Sequence, residues 1–355
     1  MTNFKADARP LLIGSLPMSD HTEALKLVLA HTPDIPLWVQ LPCYKEEGMV
    51  SQFMEGLPGF DADSKKNMLN TASPDFDTDF VAFFEDYLAF SESGDGLETS
   101  RFALSGTRGK GFAEFLRQVD SAAAPFTALK GQVTGPITFG TAVKDEQDKD
   151  IFYNDQLRDA AIKKLAMNAR WQARAFAKRG ATPIIFLDEP ALAGFGTSAY
   201  ITITREDVTQ SIDEIVREIH AENGLAGVHV CANTQWDMLL TSSIDIISFD
   251  AFSYFDRFIL YPEIIAAYLK QGKILAWGIV PTAKAEVIHA QTAEGLVSML
   301  NEQIDELVKK TGLDRHLVLS QSFVTPSCGT GSIDLDSAKK VLQLTRQVSD
   351  AIRNA

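Results

Sequence analysis

The sequence predicts an α/β protein, a single (β/α)8 (TIM) barrel with a long insertion after its second strand. Three observations carry this reading. Eight short apolar runs recur along the 355 residues, and most intervals between them have helical periodicity. Runs such as Ile184-Ile185-Phe186-Leu187 are apolar on both faces, as strands of a buried parallel sheet are.

The expected strands, in order, are 11–15, 37–41, 128–133, 183–188, 227–231, 245–250, 274–279 and 317–322. A long helix over 155–179 ends at Gly180, a residue suited to the left-handed turn that closes helices. A second, 205–222, stops at Asn223-Gly224, and a third, 294–310, stops just before Gly312. Residues 42–127 form the insertion, with helices expected at 80–90 and 110–119 and turn-rich pieces such as Ser93-Gly94-Asp95-Gly96. Insertions that follow a barrel strand fall on the face where reactive groups gather, so a lid or docking platform is expected there. No internal repeat or low-complexity stretch interrupts the chain, and 1–355 reads as one domain.

Charge and composition narrow the function. The chain has 33 basic against 47 acidic side chains, a net charge of −14, which disfavours nucleic acid and anionic membranes as partners. Hydrophobic residues at 45% and charged residues at 23% exclude disorder, collagen and coiled coil. Three cysteines make no disulfide framework. No apolar stretch approaches the roughly 20 residues of a bilayer span. The start, Met1-Thr2-Asn3-Phe4-Lys5-Ala6-Asp7, lacks the charged cap and apolar run of a signal peptide. The expected location is the cytoplasm.

The chemistry centres on soft ligands. His229-Val230-Cys231 ends the fifth run, and strand alternation puts its two ligands on one face. Cys328 follows the eighth run in Thr325-Pro326-Ser327-Cys328-Gly329, and Asp250 closes the sixth. All four sit at carboxyl ends of expected strands, where barrel enzymes gather reactive groups, and together they suit Zn²⁺ in number and softness. By spacing alone such a set is more often incidental, with the cysteines behaving as small hydrophobes; position is what favours a metal. Cys43 has no second ligand beside it and reads as structural. In Phe186-Leu187-Asp188-Glu189-Pro190, Asp188 and Glu189 either hold a substrate ammonium or cap a helix N-terminus. Ile13-Gly14-Ser15 brings exposed backbone and a hydroxyl to the mouth, or is a plain turn, and Lys130-Gly131-Gln132-Val133-Thr134 is similarly open. Gly106-Thr107-Arg108-Gly109-Lys110-Gly111 lacks the spacing of a phosphate loop. His21, His31, His220, His289 and His316 have no paired ligands and are assigned no chemistry.

Together these pieces resemble the cobalamin-independent methionine synthase family, within the larger group that includes uroporphyrinogen decarboxylase and the methylcobalamin:thiol methyltransferases. The resemblance implies that Ile13, Gly14, Ser15, Asp188 and Glu189 bind homocysteine, and that His229, Cys231, Asp250 and Cys328 hold Zn²⁺. Asp250 stands where the family has glutamate. His229-Val230-Cys231-Ala232-Asn233 is similar to the His-x-Cys-Gly-Asn of corrinoid-linked enzymes, with Ala232 replacing glycine, and this adds Asn233 to the substrate-binding set. The implied activity is zinc-dependent methylation of a thiol, homocysteine giving methionine, with coenzyme M or another thiol as an alternative acceptor. Folate-using members carry a second, amino-terminal barrel. A single barrel therefore implies a methyl-corrinoid donor, methylcobalamin free or on a separate corrinoid protein. Two rivals are a uroporphyrinogen decarboxylase-like lyase, for which no arginine-rich amino-terminal motif is present, and a non-catalytic zinc- or corrinoid-binding accessory protein.

Overall fold

The computed structural model describes residues 4–62 and 66–355. Six strands form one curled parallel sheet in sequence order: β1 (Ala128–Thr134), β2 (Thr182–Asp188), β3 (Leu225–Val230), β4 (Ile246–Phe249), β5 (Ile274–Val280) and β6 (Ser322–Pro326). Helices fill every crossover, among them Asp155–Ala177, Arg205–Ala221, Ala293–Thr311 and, after β6, Leu335–Arg353. Their ends follow from local chemistry. Asn154 accepts from the amides of Gln156 and Leu157 to start the first, and Thr204 with Asp207 forms a capping box for the second. Gly180 and Gly312 turn left-handed, with φ of +72° and +68°, where the sequence expected helices to close.

Two apolar clusters hold the layers together. The larger packs the helices on the outer face of the sheet. The smaller fills the inside with Leu11, Ile184, Phe186, Ile246, Ala276 and Phe323. Towards the carboxyl ends of the strands, the inward positions change character. Gln132, Asp188, His229 and Ser248 are polar yet all less than a tenth exposed. Side chains two apart share a strand face, so these groups stand directly above the apolar layer. Buried polar groups are costly unless bonded, so this layer needs partners that the apolar layer below it does not.

The structure corrects several expectations. Among the described residues, six of the eight expected strands form a continuous parallel ladder. Segments 11–15 and 37–41 are extended, but they join their neighbours only by isolated bridges, Pro10 to Val324, Ser15 to Gln40 and Leu37 to Lys130. Pro10 and Pro36 contribute no N–H, and Asp7 and Ala8 turn with positive φ, so continuous ladders are broken. Residues expected as the start of the last strand are helical (Arg315–Ser320), because the Asp314 carboxylate accepts from the amides of His316 and Leu317 and nucleates a turn. The strand begins only at Ser322.

The insertion is more helical than the spacing suggested, with helices at Phe76–Ser93 and Lys110–Asp120. Residues 93–120 brace against Asp155–Ala177: Phe112 packs 4.3 Å from Trp171 between ring centroids, Asn168 donates to the carbonyl of Phe102, and Arg174 pairs with Asp95. A separate two-residue parallel pair joins Met68–Leu69 to Lys144–Asp145. Among the described residues, no helix is long and apolar enough to cross a membrane.

Candidate metal centre

His229 is the last inward residue of β3, and Cys231 follows one step beyond its end. Cys328 lies just past β6 in a turn that Ser15 holds in place. The amide and hydroxyl of Thr330 donate to the carbonyl of Ser15, and the amide of Gly331 donates to its hydroxyl. Any Cβ on Gly331 would sit 2.8 Å from Ser15 Oγ, so this approach requires glycine. As a result one nitrogen of His229 and the two sulfurs lie within 4.8 Å of one another. That is near the span one ion bridges at Zn–S and Zn–N lengths of about 2.3 and 2.0–2.1 Å.

The polar contacts around this trio are consistent with a metal. His229 Nδ1 lies 3.0 Å from Ser248 Oγ, while its Nε2 is buried without a hydrogen-bond partner. The Cys328 thiol and the nearby His229 ring hold Cys231 well below the usual thiol range, and the Cys231 sulfur in turn pushes Cys328 up. An orphaned imidazole nitrogen beside two cysteine sulfurs is a soft donor set that suits Zn²⁺.

Asp250 stands apart from this trio. Its Oδ1 accepts from the amide of Ser253 at 2.8 Å and caps Ala251–Phe258, although Cys231 and His229 are close enough to influence its charge. Burial raises its pKa.

A cavity of about 310 Å³ opens over the cluster. It is lined by Ile13, Gly14, Ser15, Asp188, the three metal-ligand candidates and, from the start of the insertion, Pro42, Glu47 and Met49. Thr134 at the end of β1 donates to the carbonyl of Met49 and ties that segment to the mouth. Glu47 is held by His21 at 2.7 Å and by the amide of Leu41 at 2.9 Å. Asp188 has one carboxylate oxygen buried without a partner, and burial raises its pKa against the pull of Lys130.

Two expected substrate residues are not brought to this cavity. Glu189 is fully buried and turns to the N-terminus of Pro136–Ala142, accepting from the amides of Ile137 and Thr138 and from the Thr138 hydroxyl. Burial raises its pKa to about 7. Asn233 is exposed and accepts from Trp236 Nε1.

Three residues had no role of their own in the sequence reading, although Lys130 and Gln132 lie in a segment it singled out. Lys130, fully buried, donates to the carbonyl of Ile13 at 2.6 Å and lies over the ring of Phe186; burial lowers its pKa to about 8. Ser248 and Gln132 share the polar layer. Their signal was a polar residue at the inward-facing parity of an otherwise apolar run.

No protein-family model matches the chain, and no curated protein sequence does. Among solved structures, a B12-independent methionine synthase from Shewanella sp. W3-18-1, in complex with selenomethionine, superposes with a TM-score of 0.59 and 17% identity. The match covers 97% of this chain and 98% of that one. The two share a fold. A methyltransferase from Methanosarcina mazei matches more loosely, with a TM-score of 0.44 and 14% identity over 66% of this chain and 63% of the other.

Proposed function

We propose that this protein is a zinc-dependent methyltransferase that methylates a thiol, homocysteine first, to give methionine. The convergence of His229, Cys231 and Cys328 under a cavity lined by Ile13, Gly14, Ser15 and Asp188 carries this reading. The methionine synthase fold of the Shewanella protein supports it.

His229, Cys231 and Cys328 would hold the ion and leave room for a substrate thiol beside it. Bound there, Zn²⁺ lowers the pKa of a thiol, which is otherwise mostly protonated at neutral pH. The chain supplies the rest. Asp188 offers its unpartnered oxygen to the substrate ammonium and so orients the sulfur. Ile13, buried in the cavity wall, restricts water. The reaction is a displacement: an S–CH₃ bond forms as the donor–CH₃ bond breaks, its electron pair leaves with the donor, and the thiol proton goes to solvent. Asp250 caps the following helix through Oδ1, so its second oxygen is the atom that would serve as a fourth ligand.

The expectation of a methyl-corrinoid rested on the single barrel. The Shewanella protein, a B12-independent methionine synthase, matches over 98% of its length, so extent gives a corrinoid no advantage. Against a porphyrinogen-type decarboxylase, none of the described residues lining the cavity is arginine or lysine, which a polycarboxylate would need. The test is metal analysis of the purified chain followed by methionine formation from homocysteine, with methylcobalamin and a methylated folate as separate donors. Stoichiometric zinc and methionine from either donor are expected. A zinc-free chain, or zinc without any thiol methylation, would overturn the proposal.

A further inference from the structure

Ser248 is the single polar residue of β4, fully buried between Ile247 and Phe249. It pairs in register with His229 across the β3–β4 ladder, and its hydroxyl lies 3.0 Å from Nδ1. A buried hydroxyl is costly unless it is bonded, and alanine would complete an apolar run here. We propose that Ser248 is a positioning residue of the metal centre, holding the His229 ring with Nε2 turned to Cys231 and Cys328. This inference rests on the zinc reading above.

Two facts point to it. Nε2 is the ring atom left without a partner, although it is buried, so the bond from Ser248 orients a nitrogen that nothing else in the chain satisfies. A hydroxyl also accepts from an Nδ1–H and donates to a bare Nδ1, so the ring keeps its place in either neutral tautomer. Without that bond the ring must be ordered by the metal itself. Partners of this kind to metal-binding histidines commonly alter metal affinity by about 10- to 100-fold.

The test uses the full chain. Zinc affinity is measured by competition with a chromogenic chelator, and cobalt(II) is substituted to read the ligand field. S248A should weaken zinc binding about 10- to 100-fold, and it should shift the cobalt bands as the imidazole loosens. The metal-free chain should unfold at nearly the parent temperature. S248T, which keeps the hydroxyl, should restore both readouts. Should S248A fold poorly, S248G removes the same hydroxyl in less volume and carries the same expectation. Parent affinity and a parent cobalt spectrum in the variant lacking the hydroxyl would overturn the inference. If C328S loses zinc while S248A keeps it, the inference alone fails. A parent chain that binds no zinc defeats the underlying reading and the inference with it.

Discussion

Replacing Asp188 with asparagine separates recognition of a substrate amine from every other role of this residue. Its unpartnered oxygen is buried at the cavity wall, where water cannot easily replace a lost ligand contact. A hydrogen bond to a charged group contributes about 1.5–3 kcal/mol, or about 10- to 150-fold in binding. Burial already raises the Asp188 pKa, so ionising it there opposes folding, and a neutral amide removes that opposition. The melting temperature should therefore not fall. The assay compares kcat/KM for homocysteine with that for 4-mercaptobutyrate, which keeps the thiol and lacks the amine. Asp188→Asn should cost the first substrate about 10- to 150-fold, mainly in KM, and the second little. Equal losses on both thiols would show that Asp188 does not bind the amine.

Three further outcomes follow from the geometry. Cys328→Ser should strip zinc while leaving far-UV circular dichroism intact, because the apolar layers do not involve the ion; full zinc occupancy would displace Cys328 from the site. Gly278→Ala would place a methyl 2.6 Å from the carbonyl of Phe249 and 2.9 Å from Ser327 Cα, both backbone atoms that cannot rotate away. A loss of about 1–3 kcal/mol is expected together with weaker zinc binding, since the strain falls between the elements carrying Asp250 and Cys328; unchanged denaturant midpoints would contradict it. Glu189 has its pKa raised from 4.5 to about 7, so the folded chain binds this proton more tightly than the unfolded one. Its contribution is fully favourable below about pH 4.5 and is lost as pH rises towards 7, by about 3 kcal/mol at most. Urea titrations at pH 5 and 8 should show this decline in the parent and a smaller one in Glu189→Gln; parallel curves would refute it.

Much of the architecture was legible in the sequence because it depends on local periodicity. Runs apolar on both faces could satisfy themselves only inside a parallel sheet, and Gly180 and Gly312 marked helix ends by conformational freedom. Position at strand ends was enough to single out His229, Cys231 and Cys328, whose donor atoms the fold brings together. Which carboxylates face the cavity was not legible. Asp188 and Glu189 are adjacent and chemically alike, yet successive side chains at a strand end diverge. One lines the cavity, and the other caps Pro136–Ala142 from a neighbouring crossover. Asp250 likewise serves the helix that follows it, since a carboxylate one residue before a helix meets free amides before any distant ligand. Nor did residues 317–320 reveal themselves as the end of a helix, because Asp314 decides that locally against the apolar pattern. The roles of Ser248 and Lys130 exist only across strands: a hydroxyl on β4 reaches a ring on β3, and an ammonium on β1 reaches the carbonyl of Ile13. Sequence specifies what each segment can bury, and tertiary contact decides which buried polar atom each one meets.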